Sequence, residues 1–373
     1  MIYLDYNATT PVDEEVLQTM LPYFTQKFGN AASSTHLLGL QAKDAVESAR
    51  ANIANTIHCE SQEIIFTSGA TEAINLAIKG VFNVYQTKGN HIVTVETEHK
   101  AVLDTCKYLE KKGAQITYLK VNKDGLIDLQ ALENAITHHT ILVAIMYSNN
   151  ETGVIQNISA ISKITHDKKT LLLCDATQAI GKIAIDVQKE SIDLMCLSAH
   201  KFYGPKGVGA LYVRRKNPRV ILESIIQGGG HERGLRSGTL NTPSIVGLGK
   251  ACEIISIDNQ IEQLRNYLED ILLQQFSNSI IINGKETKRL PNTSNITFPF
   301  KAIDFIHHTK TKLAIATGSA CTSAENQPSH VLTAMGLTKE QAERSIRFSL
   351  GKYTTKQELD TVITMIADLI NKK

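Results

Sequence analysis

Apolar positions along this chain follow two alternating patterns between residues 14 and 255. Short apolar runs predict five strands, at 63–67, 91–95, 140–146, 170–175 and 193–198. Between them, apolar residues recur at helical spacing, as Ile74, Ile78, Val81 and Tyr85 do. Strands that alternate with amphipathic helices are typical of an α/β domain with a largely parallel sheet.

The pattern changes after about residue 256. A long helix is predicted over 260–276, followed by short strands, a polar loop and a last helix over 356–370. Thr338, with Gln341 three residues later, predicts a capping box that begins another short helix. We therefore expect a large α/β domain over 14–255 and a smaller α+β domain formed by 1–13 and 256–373.

The composition argues for a folded enzyme-sized protein. Of the 373 residues, 42% are hydrophobic and 20% are charged, which is ordinary for a globular protein. The net charge of +2, with mixed signs, argues against nucleic acid or an anionic membrane as the main partner. The dense basic run of Arg214, Arg215, Lys216 and Arg219 fits either a solvated turn or a docking patch for an acidic partner. Because the start lacks a secretory signal and no apolar run approaches the roughly 20 residues that span a bilayer, we expect a cytoplasmic protein.

The six cysteines are spaced too widely for a compact disulfide framework or for paired CxxC zinc ligands, so we predict no metal site. Cys174 and Cys196 lie in predicted strands, where cysteine behaves as a small hydrophobic residue. Cys321 differs, because the small and polar residues of 317–329 have the composition of a mobile surface loop. Such a thiol is either an incidental surface cysteine or a nucleophile.

Lys201 is the first candidate for catalysis. It follows an apolar run and begins a glycine-rich turn within 198–211. A lysine that is half buried beside other cations loses its proton readily, as an amine must before it attacks an aldehyde. A surface lysine before a loop is the alternative, so the neighbouring residues have to decide.

Other candidates lie where the predicted strands end, and ligands of α/β sheets collect at the carboxyl ends of strands. The segment 67–71 follows a strand and begins a helix, so it is either a phosphate site or simply a tight turn. Asp175, with Gln178 one helical turn further on, could pair with a protonated pyridine nitrogen or cap a helix. His99 could stack on a planar cofactor and move protons, or have only a structural role.

Taken together, a phosphate anchor, an acid for a ring nitrogen, a stacking histidine and a Schiff-base lysine are what pyridoxal phosphate (PLP) requires. Their order resembles the class V aminotransferase group of fold-type I PLP enzymes, and the similarity continues in YLDYNATTP (3–11), NNETG (149–153) and GGGHERGLRSGT (228–239). Within that group, ATGSACTS (316–323) and SIRFSLG (345–351) resemble cysteine desulfurases of the IscS/NifS type. The resemblance runs from about residue 3 to residue 352.

The resemblance implies a role for each matching residue. Lys201 would hold PLP as a Schiff base, Asp175 would pair with the ring nitrogen and Gln178 with the phenolic oxygen. His99 would stack on the ring and move protons. Phosphate contacts are implied for Ala70, Thr71, Ser198 and His200, and for Thr239 across the interface of a homodimer.

For the substrate, the resemblance implies that Asn150, itself near the cofactor, and Arg347 hold the carboxylate. The strand pattern supports this, because Ile346 and Phe348 share one face and Arg347 points to the other. A surface arginine is the alternative. The fork of a guanidinium is well suited to a carboxylate.

The implied reaction converts L-cysteine to L-alanine. Cys321 would take the sulfur as a persulfide and pass it to an acceptor protein of iron-sulfur cluster assembly or of tRNA or DNA thiolation. Since an ordinary thiol pKa near 8.5 leaves little thiolate at neutral pH, a base such as His99 would help. The sequence ends at Lys373, soon after Gly351, whereas IscS-type enzymes carry a longer tail that helps to dock the scaffold; the acceptor therefore stays open.

Two alternatives remain at this stage. One is a PLP enzyme of the same fold that does not use Cys321, such as a selenocysteine lyase or a class V aminotransferase. The other is a catalytically idle sulfur-carrier or assembly subunit that keeps the fold for its interface.

Overall fold

A computed structural model describes residues 1–257, 259–317 and 328–371. In chain order its strands are β1 (Ile2–Tyr3), β2 (Ile64–Thr67), β3 (His91–Val95), β4 (Gln115–Leu119), β5 (Thr140–Met146), β6 (Leu171–Asp175), β7 (Leu194–Ser198), β8 (Gly209–Val213), β9 (Ile281–Ile282), β10 (Thr293–Thr297), β11 (Leu313–Ala314) and β12 (Ser345–Ser349). Strands β2 to β8 form one sheet in the order β2-β8-β7-β6-β5-β3-β4. The five neighbouring strands β7, β6, β5, β3 and β4 are parallel to one another, whereas β8 is antiparallel to both β2 and β7.

The helices follow in chain order as α1 (Glu14–Met20), α2 (Pro22–Thr25), α3 (Leu37–Ile57), α4 (Ala70–Tyr85), α5 (Lys100–Glu110), α6 (Leu129–Ala135), α7 (Ile158–Asp167), α8 (Thr242–Glu253), α9 (Gln260–Phe276), α10 (Ala302–Thr309), α11 (His330–Ala334), α12 (Lys339–Glu343) and α13 (Lys356–Ile370). Short 3-10 turns lie at Ser61–Glu63, Ala199–Lys201 and Glu232–Gly234. The predicted bounds of α9 and α13 are confirmed, and so is the capping box at Thr338.

The large sheet is covered on both faces. Alternate residues of its strands enter two cores: Phe66 packs with α3 and α8 on one side, and Ile65 packs with α4 and α5 on the other. This three-layer arrangement confirms the predicted α/β class. With both faces covered, ligands have access at the edge of the sheet where the strands end.

A second, smaller α+β unit contains the antiparallel sheet β12-β10-β9 and the parallel pair β1-β11. Its core includes Phe298, Phe300, Phe305 and Phe348, and Leu4 from the start of the chain packs with them. The exact domain bounds, after residue 13 and after residue 255, remain a prediction.

The basic run is not one uniform solvated turn. Arg214 is buried and donates to the carbonyl oxygens of Ile192 and Val187. Across the described ranges, none of the helices combines the length and apolar character needed to cross a membrane. The five described cysteines are free thiols, and Cys174 and Cys196 are fully buried as predicted.

Candidate active site

The carboxyl ends of several parallel strands open onto one cavity of about 410 Å³. Its lining includes ten of the twelve predicted site residues: Ala70, Thr71, His99, Asn150, Asp175, Gln178, Ser198, His200, Lys201 and Arg347. Thr239 lies outside this lining, in an exposed position. Cys321 lies outside the described residues. The cavity has the size of a small-molecule site.

One end of the cavity is the start of α4. The helix follows Gly69, whose φ is +154°, and no side chain caps its first turn. A Cβ on Gly69 would lie 3.6 Å from Ser198 Oγ, so this hydroxyl stands beside the helix start. Free N–H groups and the positive end of a 16-residue helix favour a phosphate there.

Asp175 ends β6 and is held by three donors on one carboxylate oxygen. Its Oδ1 accepts from the N–H of Thr177 at 3.0 Å, from the Thr177 hydroxyl, and from the thiol of Cys196 at 3.2 Å. The residues that follow form a turn and not a helix, so Gln178 lies in a turn, contrary to the prediction. Asp175 therefore caps a turn and lines the cavity at the same time.

Lys201 lies in the 3-10 turn directly after β7. Its Nζ donates to the carbonyl oxygens of Asn7 at 2.6 Å and Ala8 at 2.9 Å. The side-chain nitrogen of Gln178 donates to the same Asn7 oxygen at 2.9 Å. Sequence reasoning missed these two carbonyls, because a backbone acceptor leaves no mark in the residue type.

His99 is the N-cap of α5. Its Nδ1 accepts the N–H of Ala101 at 3.1 Å, so the neutral ring carries its proton on Nε2. Burial lowers the pKa of His99, with Asp175 opposing the shift and Lys201 adding to it. The ring is therefore neutral at physiological pH, and it caps α5 while lining the cavity.

His200 is also neutral. Burial, followed by the charges of Lys201, Lys206 and Lys182, lowers its pKa to about 4. Its Nδ1 lies 3.2 Å from the hydroxyl of Thr9. A neutral imidazole beside several cations supplies a hydrogen bond without adding another charge.

Arg347 is buried in β12, only 1% exposed, so the alternative of a surface arginine is wrong. Its Nη2 donates to Asp5 Oδ1 at 2.6 Å and its Nη1 to the carbonyl oxygen of Asn150 at 3.1 Å, whereas Nε has no hydrogen-bond partner among the described residues. Ile346 and Phe348 enter the small core, as the strand pattern predicted. A buried guanidinium that belongs to a cavity lining suits a carboxylate.

The fold is that of the fold-type I class of enzymes. It combines a large, mainly parallel sheet with a smaller α+β unit and a lysine where the strands end. The Aminotransferase class-V family model matches residues 2–362. Cysteine desulfurase IscS of Neisseria meningitidis is 50% identical, over 100% of this chain and 92% of its own length, and that of Anaeromyxobacter is 48% identical, over 100% and 93%.

Solved structures agree. A NifS-like protein, 37% identical, superposes with a TM-score of 0.91 and full coverage of both chains. SspA in complex with cysteine is 39% identical with a TM-score of 0.86, covering 95% of this chain and 100% of that one. The chain belongs to the class-V aminotransferase family, and within it to the cysteine desulfurases. The predicted family, fold class and enzyme class are thereby confirmed.

Proposed function

We propose that this chain binds PLP in the cavity at the carboxyl edge of the large sheet. The observation that carries the proposal is the meeting of Lys201, Asp175 and the uncapped start of α4 in one space of about 410 Å³. Class-V enzymes depend on PLP, which, when bound, supplies an electron sink for bonds to the α-carbon of an amino acid. The residues present fit that group at its aldehyde, its ring nitrogen and its phosphate.

Each contact has a physical basis in the site. Lys201 Nζ would hold the cofactor covalently, Asp175 would pair with the ring nitrogen, and Gln178 would donate to the phenolic oxygen. His99 would stack on the ring. The phosphate would lie against Ala70, Thr71, Ser198 and His200.

The substrate of the proposed reaction is L-cysteine. Arg347 would bind its carboxylate through the guanidinium, and both Arg347 and Asn150 line the cavity. Lys201 Nζ would act as the base for the α-proton. His99 would move protons through Nε2, because Nδ1 already accepts the N–H of Ala101.

The sulfur acceptor of the proposed reaction is the Cys321 thiol. The Cys321 thiolate would attack the substrate sulfur and form a sulfur–sulfur bond. The carbon–sulfur bond would break with its electron pair passing to the substrate carbon, which takes up a proton, so that Cys321 is left as a persulfide and L-alanine leaves. The outer sulfur of this persulfide would then be transferred to an acceptor protein of iron-sulfur cluster assembly or of tRNA or DNA thiolation. Support for Cys321 is the motif around it, because the residue lies outside the described part.

A homodimer is part of the proposal. Thr239 is exposed and outside the cavity of its own subunit, as a residue that reaches the phosphate of a second subunit has to be. The five described free thiols fit a reducing compartment, so we infer that the enzyme works in the cytoplasm.

Two variants test the function. Lys201→Ala is expected to lose the visible absorbance of bound PLP and all turnover. Cys321→Ser is expected to keep the absorbance and lose alanine production, and mass spectrometry should find no persulfide. Cys59→Ser, at a half-buried free thiol, is the matched control and should behave as wild type.

The outcomes separate the alternatives. Full cysteine-to-alanine turnover by Cys321→Ser with a reductant would point to a lyase or aminotransferase that does not use this thiol. A colourless wild-type protein that takes up no PLP would point to an idle carrier or assembly subunit.

A further inference from the structure

Lys182 makes two close contacts with Gln178. Its Nζ lies 2.7 Å from the amide oxygen Oε1 and 3.0 Å from the backbone oxygen of the same residue. Both contacts are donations from Lys182 Nζ to an oxygen, and together they favour the oxygen end of the amide on the side of Lys182. Lys182 therefore decides which way the amide of Gln178 points.

The nitrogen end of that amide points the other way, toward the Asn7 carbonyl at 2.9 Å. An amide nitrogen has two N–H groups, so one remains for the cavity that Gln178 lines. A flipped amide would place its NH₂ against Lys182 and its oxygen against the oxygen of Asn7. Both contacts would be lost, so the observed orientation is the favourable one.

The same carbonyl of Asn7 also accepts from Lys201 at 2.6 Å. Lys182, Gln178, Asn7 and Lys201 thus form one connected set of hydrogen bonds. Burial lowers the pKa of Lys182 well below its usual value, and the charges of Lys201 and Arg347 add to the shift. Lys182 is therefore held close to the site cations even though it is not part of the cavity lining.

We propose that Lys182 is a positioning residue that fixes the amide of Gln178 with its N–H groups toward the cavity. This inference rests on the proposed binding of PLP, in which Gln178 donates to the phenolic oxygen. A hydrogen-bond donor on the phenolic oxygen stabilises the anionic form of that oxygen. The pH midpoint of the visible band of bound PLP should therefore be lower with Lys182 than without it. The role of Lys182 is exerted through Gln178 and not by direct contact with the cofactor.

The test is a double-variant cycle on the PLP-loaded enzyme. Lys182→Met is expected to raise the pH midpoint of the visible band by about half a unit or more, a readout that does not depend on turnover. In a Gln178→Ala background the same substitution should change the midpoint by less than half as much, because its target is gone. Lys182→Arg, which can still donate, should restore most of the wild-type midpoint.

Lys189→Met is the matched control, since this lysine is 84% exposed and forms a surface salt bridge with Asp186. It should leave the midpoint unchanged. An unchanged midpoint in Lys182→Met, or an equal shift in both backgrounds, would overturn the inference. If Lys182→Met does not fold, Lys182→Leu, which also lacks a donor, gives the same comparison. Failure of wild type to bind PLP would instead refute the proposed function, so the two failures are distinguishable.

Discussion

Burial sets the protonation states of single residues around this site. It lowers the pKa of His99 and of His200, and it acts in the opposite direction on Glu98. Glu98 is fully buried, its Oε1 accepts the N–H of Met146, and its Oε2 has no partner among the described residues. Burial raises the pKa of Glu98 well above its usual value, and the charge of Asp175 raises it further. Glu98, directly before His99, therefore binds a proton more readily than an ordinary glutamic acid.

Glu98→Gln should stabilise the protein at neutral and alkaline pH. An acid whose pKa is raised by folding stabilises the fold fully below its unfolded pKa, and this contribution is lost as pH rises through the folded pKa. Glutamine keeps the bond to Met146 and does not titrate. We expect a gain of about 1 kcal/mol for each pKa unit removed, measured by urea unfolding near pH 8 and near pH 5. Equal gains at both pH values would contradict this assignment.

The lowered pKa of His99 predicts the acid side of the pH profile. A base that must be neutral stays so down to its own pKa, and that of His99 lies below the ordinary 6.5. We expect kcat/KM for L-cysteine to fall only below pH 6.5 on the acid side, where His99 becomes protonated. His99→Asn should remove this acid-side decrease and lower the rate at least about 100-fold. An acid limb that persists in His99→Asn would assign it to another group.

At the scale of elements, the phosphate end of the cavity depends on a close approach between β8 and the turn before α4. A Cβ on Gly209 would lie 2.4 Å from the carbonyl oxygen of Leu197 and 2.8 Å from Gly69 Cα. Because real Cβ atoms do not come this close to backbone, the strand and the turn can meet only through glycine. The start of α4 is held in place by this contact.

Gly209→Ala should therefore displace the start of α4. We expect a loss of about 1–3 kcal/mol in unfolding free energy, as for other overpacked sites, and a weaker hold on PLP, measured by dialysis against PLP-free buffer. Gly113→Ala is the control: nothing lies within 4 Å of its added Cβ, so only the cost of its positive φ remains. Equal PLP retention in both variants would argue against this role of Gly209.

At the scale of the whole molecule, large apolar side chains are exposed near the start of the chain. Phe24 in α2 is 57% exposed, Phe28 is 64% exposed and Leu37 at the start of α3 is 68% exposed. A buried ion pair of Arg50 with Glu232, at 2.7 Å, anchors the loop that carries Thr239. Exposed apolar residues and an anchored loop with an outward Thr239 are what a homodimer interface would use.

Phe24→Asp combined with Phe28→Asp should weaken the proposed homodimer. A charge buried in an apolar interface has no partner, so we expect at least a tenfold higher dissociation constant by analytical ultracentrifugation. PLP retention should fall with it, since Thr239 of the second subunit is withdrawn. Ile303→Asp, at another exposed apolar position, is the control. An unchanged dimer in the double variant would place the interface elsewhere.

The sequence predicted much of this protein because its patterns are local. The apolar runs marked five strands of the large sheet to within one residue, and helical periodicity marked α9 and α13. Strand ends marked Asp175, His99 and Lys201, because parallel strands direct their carboxyl ends to one edge. Strands β4 and β8 were missed, and the glycines of β8 read as a loop until β2 and β7 are placed on either side of it.

Only the tertiary structure could decide the contacts between distant parts of the chain. The carbonyls of Asn7 and Ala8 meet Lys201, and Asp5 meets Arg347, although these pairs are far apart in sequence. The hydrogen bond from Lys182 to Gln178 is local in sequence. The orientation of the Gln178 amide is fixed only when its nitrogen also donates to the distant carbonyl of Asn7. Residue types reveal the chemistry a chain can perform, whereas packing decides which donors, acceptors and charges meet.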